Sequence, residues 1–426
     1  MNNKCVLPWI HTSSEPMGTC RSCCIARDSI TDDDGTFYTI ANSTFSEILN
    51  SNYMKNLRNE MRKGKYPSNC SICWEDESNN KQSKRLFYND LILNQRGINV
   101  DLDNEPDQPL DLQLAMGNIC NLKCRTCCST YSSKWGVEAK DRGVLSSWNP
   151  NLGNINDFEN SKFWTDIDNW SKNIRRLEIM GGEPFYMKEF SKLIDHLISN
   201  GTSQNIDLNL STNGTIFDED LLDKILYNFE LLGFNISIDG INEHYDYIRH
   251  GNNWKNVKNN LDKFYQLYIN QTKNVKKWNL TKQTKEFNHI KLNIGITLTI
   301  SNLNFPYLRE IHEFFENNYP NFKIWNNVVY FPEMYAANNI PDFAKQKYID
   351  RVETPESIGK SPWNQEKYKN EILPIVNHAK QPYNDKTWYN FINETTAADG
   401  YRKESYKDTF PEMWELIKSE WKIRNE

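Results

Sequence analysis

The chain is predicted to be an α/β protein: a partial (β/α)6, TIM-like barrel with a small cysteine-rich module before it and a helical extension after it. Three observations predict this. Strand-like runs between residues 110 and 330 alternate with stretches whose apolar residues recur at helical spacing, which implies a parallel sheet. The strands themselves alternate apolar and polar residues. Ile206, Leu208 and Leu210 interleave with Asp207, Asn209 and Ser211, and Leu292, Ile294, Ile296, Leu298 and Ile300 with Asn293, Gly295, Thr297 and Thr299. An open sheet covered on both faces has apolar strands throughout. Here one face belongs under helices and the other in a polar lumen. Finally, the segments after the strands read GNICNLKCRTCC, GGEP, STNG and SIDG, and loops at strand ends are where barrels carry chemistry. The alternative, an antiparallel sheet with one wet face, sits poorly with helices between the strands.

Taken in order, residues 1–85 are loop-rich and cysteine-bearing, with one helical stretch, FSEILNSNYMKNLRNEMRKG. Residues 86–109 read as a linker, ending in the polar NVDLDNEPDQP. Residues 110–330 form the barrel. Its strands are LDLQLAM, IRRLEIM, IDLNLSTNG, FNISIDG, IKLNIGITLTIS and FKIWNNVVYF. Between them lie the helices FYMKEFSKLIDHLISNG, stopped at Asn200-Gly201, then DEDLLDKILYNFELLG, the stretch around WKNVKNNLDKFYQLY, and LNFPYLREIHEFFENN. Residues 331–426 are a C-terminal extension that covers the barrel or the substrate. Its last helix, DTFPEMWELIKSEWKI, has Asp408 or Thr409 as cap and Pro411 at its start.

A formal net charge of −6 over 426 residues gives no broad basic surface, which argues against nucleic acid as a partner. A mean hydropathy of −0.75 leaves no apolar run long enough to span a membrane. The start, MNNKCVLPWIH, has no signal-peptide core, so a reducing cytoplasm is expected. Ten cysteines are then poor candidates for a disulfide framework. They cluster in the first third as Cys5, Cys20, Cys23 and Cys24, then Cys70 and Cys73, then Cys120, Cys124, Cys127 and Cys128. Such clustering points to ligation, because buried structural cysteines scatter. The seven histidines show no ligand spacing and read as structural, His11 and His250 included.

Cys120, Cys124 and Cys127 form C-x3-C-x2-C, three thiolates able to hold three corners of a [4Fe-4S] cube and leave one iron open. With GGEP after the next strand, this resembles the radical S-adenosylmethionine (SAM) superfamily over about residues 110–330. The residue before the third cysteine, commonly aromatic in that superfamily, is Thr126 here; Cys128, beside the third ligand, reads as supporting that ligand or as structural, with a reactive thiol as the lesser alternative. The resemblance assigns SAM contacts to Gly181, Gly182, Glu183 and Pro184, to Ser211, Thr212 and Asn213, to Ser237 and Asp239, and to Arg249, which suits a carboxylate. It implies that the reduced cluster cleaves SAM to a 5′-deoxyadenosyl radical, which abstracts hydrogen from substrate. The N-terminal cysteines resemble a SPASM or twitch module, placed before the barrel instead of after it. The resemblance implies one auxiliary [4Fe-4S] cluster held by Cys5, Cys70, Cys73 and one of Cys23 or Cys24, with Cys20 a further possibility.

The implied function is a radical SAM enzyme that modifies a peptide or protein, with an electron donor such as a flavodoxin or ferredoxin as partner. The alternatives are radical modification of a sugar or other small molecule and, in a different class, a noncatalytic zinc-binding scaffold. The sequence assigns no catalytic side chain and identifies no general base.

Overall fold

The computed structural model describes residues 4–78, 82–144, 158–272, 292–353 and 363–421. Its centre is one sheet of eight strands: β1 His11–Ser14, β2 Cys20–Arg21, β3 Asp111–Ala115, β4 Arg176–Met180, β5 Asp207–Thr212, β6 Leu231–Ser237, β7 Leu292–Ile300 and β8 Lys323–Val328. They lie in the order β2-β1-β3-β4-β5-β6-β7-β8. Every pairing from β1 to β8 is parallel, and only β1 with β2 is antiparallel.

Strands β3 to β8 are the six expected from the alternation. Two boundaries moved. The helix after β5 is Glu219–Asn228, capped by Asp218, and stops short of the LLG expected to close it. Leu231 and Leu232 instead open β6, because Leu232 pairs with Leu208 and reaches the core. Gly233 then lies against β5, where a Cβ would come within 2.2 Å of the Asn209 Oδ1. Strands β1 and β2 were not foreseen. Their residues, HTSS and CR, are too short and too polar to read as strands, and His11 pairs with Asp111 only because the chain brings them together.

The apolar face of the sheet packs on amphipathic helices. Phe190, Leu193, Ile194 and Leu197 of the helix Lys188–Ser199 are buried at the spacing that makes one stripe. Val257, Leu261 and Phe264 of Trp254–Thr272 and Leu308, Ile311 and Phe315 of Leu308–Asn318 join the same core. The polar face is buried at β1 and β3 and half-buried or exposed from β4 to β8. His11 bonds Asp111 at 3.0 Å, Arg176 reaches Asp111 at 3.2 Å and Glu178 at 2.7 Å, and Ser13 donates to Gln113 at 3.2 Å. These residues sit opposite one another across β1, β3 and β4, so the row is a consequence of register.

The N-terminal helical stretch is two helices, Phe45–Leu49 and Asn52–Arg62. A capping box between Thr44 and Glu47 opens the first and Ser51 caps the second. Lys84–Asn89 is a helix, continued by a wider turn over Asp90–Gln95, in the stretch that composition marked as connector. At the C-terminus, Ser405 caps the short helix Tyr406–Thr409, and Phe410 rather than Asp408 or Thr409 precedes Pro411–Ile417. Pro411 does open that helix, as its fixed φ favours.

Candidate functional site

The loop after β3 carries Cys120, Cys124 and Cys127, and local bonds hold it. The Cys120 N–H donates to the Ser133 Oγ at 3.3 Å, and the Trp135 indole donates to the Cys124 carbonyl at 2.7 Å. The N–H groups of Lys123 and Arg125 donate to the carbonyls of His250 and Ile248, both at 2.8 Å. Each thiol is pushed up by burial, Cys120 to about 12; neighbouring cysteines add to the effect at Cys120 and Cys127, and Asp239 adds to it at Cys124. The Arg249 guanidinium is the strongest influence pulling Cys124 the other way. Ligation removes the thiol proton, so a bound cation would reverse this preference.

The GGEP turn closes on this loop. A Cβ on Gly182 would stand 2.4 Å from the Ile119 carbonyl oxygen, and the residue has φ +54°, so only glycine fits. The next N–H, of Glu183, donates to that same carbonyl at 2.8 Å. Glu183 itself is wholly buried. Its carboxylate accepts from the Thr212 hydroxyl at 2.8 Å, the Asn213 N–H at 2.7 Å and the Phe185 N–H at 3.2 Å. Burial nevertheless pushes its carboxyl up to about 7, against those donors and Arg249. Asn213 in turn donates to Asn121 at 2.8 Å and lies 3.9 Å from the Cys120 sulfur. Cys120, Glu183, Thr212 and Asn213, predicted from separate motifs, therefore form one connected group.

The other predicted residues divide. Ser211 and Ser237 are half-buried near the ends of β5 and β6. Asp239 spends both oxygens inside the protein: Oδ2 accepts from the Arg249 Nε at 2.9 Å and Oδ1 from the Thr299 N–H at 2.8 Å. It thus orients Arg249, which is itself buried. Pro184 starts a short 3-10 turn, Pro184–Tyr186, capped by Glu183.

At the opposite end of the strands lies a second group. Cys5, Cys23, Cys70 and Cys73 line one small cavity, together with Lys84 and Arg85. Cys5 precedes β1 and Cys23 follows the antiparallel β2, so topology delivers both to the N-terminal end of β3. Cys24 does not line this cavity; its sulfur bonds the Lys84 Nζ at 2.6 Å. Cys20 is buried, its thiol directed to the Gly18 carbonyl at 3.6 Å. Burial pushes the Cys23 thiol up to about 11 and Cys70 to about 12.

Among the described residues, no three His, Cys, Asp or Glu side chains converge on a position for a single metal ion. The donors present are thiols, the ligand type of iron–sulfur clusters, three on one loop and four around a cavity.

Arg125, Asp399 and Glu404 were not singled out from sequence, yet they meet beside the cysteine loop, with Nη2 of Arg125 2.5 Å from Asp399 and 2.6 Å from Glu404. No spacing rule links positions 125, 399 and 404, and only the fold reveals the group.

Residues 114–275 match the family model described as the Radical SAM superfamily. An uncharacterised protein of Methanocaldococcus jannaschii is 28% identical over 205 residues, 47% of this chain and 56% of that protein. Among solved structures, native anSMEcpe with bound AdoMet is 15% identical, covering 66% of this chain and 64% of that one, with a TM-score of 0.36. The same protein with bound AdoMet and the Cp18Cys peptide is 16% identical, covering 66% and 63%, with a TM-score of 0.32. The chain thus spans less than two thirds of the length of each of these relatives.

Proposed function

We propose that this chain, matched to the Radical SAM superfamily over residues 114–275, is a radical SAM enzyme built on a partial barrel with a twitch-like N-terminal module. In this reading Cys120, Cys124 and Cys127 hold a [4Fe-4S] cluster. With SAM bound, that cluster supplies a 5′-deoxyadenosyl radical for hydrogen abstraction. The observation that carries the reading is the junction at Ile119, where the GGEP turn, the end of β5 and the cysteine loop meet through Glu183. A scaffold that only needed to hold a metal has no call for that junction.

Each of the chain's own residues then has a task. Gly182 lets the GGEP backbone lie against the cysteine loop, and Glu183 locks that turn to β5. Asp239 holds Arg249 ready for a carboxylate, as of SAM. The polar face of the sheet, half-buried from β4 to β7, gives a substrate hydrogen-bonding partners. Cys5, Cys23, Cys70 and Cys73 are proposed to hold an auxiliary [4Fe-4S] cluster at the other end of the strands, leaving Cys24 to Lys84. The substrate class we propose is a peptide or protein, on the resemblance of this cysteine set to twitch modules; a sugar or other small molecule is the second choice. A flavodoxin or ferredoxin would supply the electron.

The experiment is anaerobic reconstitution with iron and sulfide, then reduction with dithionite in the presence of SAM. About eight iron per chain, from two cubes, together with 5′-deoxyadenosine, supports the reading. Bound zinc and no 5′-deoxyadenosine overturns it in favour of a zinc scaffold.

A further inference from the structure

Arg125 stands between the second and third cysteines of the loop, at a position the C-x3-C-x2-C pattern leaves open. Its side chain is 1% exposed. Nη2 donates to Asp399 at 2.5 Å and to Glu404 at 2.6 Å, near the end of the helix Asp385–Arg402. Nε donates to the Tyr247 carbonyl at 3.2 Å, and the guanidinium lies 3.6 Å from the centre of the Tyr247 ring. The two carboxylates are held as well. The Tyr247 hydroxyl and the Tyr406 N–H donate to Asp399 at 2.8 and 2.7 Å, and the His250 ring bonds Glu404 at 2.5 Å.

A second tie runs alongside the first. Lys123, also in the cysteine loop, reaches Glu138 at 2.7 Å, and Arg402 reaches the same carboxylate at 3.0 Å. Backbone bonds to Ile248 and His250 hold one side of the loop, and these ion pairs tie it to the C-terminal segment. Burying a cation with two carboxylates costs desolvation on every member. It also puts a cation on the residue that follows Cys124, with two carboxylates on that cation, while Arg402 of the second tie bears on Cys124 itself; charges near a cluster tune its reduction potential.

We propose that Arg125 is a positioning residue through which the C-terminal segment, residues 385–406, sets both the geometry and the reducibility of the Cys120–Cys127 loop. The proposal rests on the radical SAM reading of that loop. A cation near the cluster favours the reduced, more negative state, and a carboxylate disfavours it. Arg125 and Glu404 therefore act with opposite signs on the potential and with the same sign on rigidity.

The test uses the full chain and the substitutions Arg125→Lys, Arg125→Gln and Glu404→Gln. The midpoint potential of the SAM-responsive cluster is titrated by electron paramagnetic resonance, and hydrogen exchange is followed in the metal-free protein. Arg125→Gln should lower the potential, Glu404→Gln should raise it, and Arg125→Lys should restore most of the wild-type value. Exchange should speed up about tenfold or more in both residues 118–136 and residues 385–406 in the two Gln variants. Potentials that move together or stay put, with the cluster intact, overturn the proposal, as does exchange that rises in one segment alone. Arg125→Lys keeps a cation in place, so it and Glu404→Gln carry the comparison if Arg125→Gln fails to fold. A wild-type chain that takes up no iron sinks the radical SAM reading and the reducibility claim with it. Iron uptake with unmoved potentials sinks this proposal alone.

Discussion

Cys120, Cys124 and Cys127 come from one loop, whereas Cys5, Cys23, Cys70 and Cys73 reach their cavity from three separate stretches of chain. In the loop, ligand spacing is a matter of local backbone: Ser133 and Trp135 pin it from the helix that follows, and Ile119 meets the GGEP turn. In the cavity, spacing is a matter of topology. β1 and β2 must pair, and the helices after them must pack, before the four sulfurs face the same space. A local site is written in a motif, and a distributed one is written in the fold.

Cysteine substitutions separate the two sites most clearly. Cys124→Ala should abolish 5′-deoxyadenosine formation and drop iron from about eight to about four per chain, with the cavity still loaded. Cys23→Ala should cost the other four, whereas Cys24→Ala should leave the iron count unchanged, because Lys84 holds that thiol outside the cavity. Equal iron loss in the two single variants would mean that the cavity chooses its ligands differently.

Glycines test which side is held more tightly. Gly182→Ala combines positive-φ strain with a clash against backbone, and should lower stability by about 4 kcal/mol in urea unfolding. Gly64, on the N-terminal side, has φ +76° but open space around it, so its alanine variant should cost only about 1 kcal/mol.

Glu183 adds a pH dependence to the loop side. Its folded carboxyl, raised to about 7, binds a proton that the unfolded chain releases near 4.5. The stability it contributes is complete below pH 4.5 and is lost as pH rises through 7, roughly 3 kcal/mol in all. Glu183→Gln should flatten that window in stability measured from pH 4.5 to 7.5; an unchanged slope would assign the dependence elsewhere.

Much of the architecture was legible. The alternation in IDLNLS and KLNIGITLTI marks strands because a strand has a period of two, and the structure finds β5 and β7 there. Asn200-Gly201 ends its helix as expected, with Gly201 at φ +75°. What could not be read were contacts whose partners lie far apart in the chain. The contact of His11, a structural residue, is one: the side chain is buried against Asp111 across a strand pair that its own polar sequence conceals. Cys23 and Cys24 are another case. Adjacent and chemically identical, they part company because successive residues leave a turn in different directions, one toward the cavity and the other toward Lys84.

The parallel α/β sheet, the cysteine loop with its C-x3-C-x2-C spacing and the glycines of GGEP follow from local sequence, because each depends on periodicity or on backbone conformation within a few residues. That β1 extends the sheet, that Glu183 joins three segments and that Arg125 is held by Asp399 and Glu404 follow from the folded chain. Those arrangements are set by register and packing between distant segments, and a local pattern carries no record of which distant group will arrive.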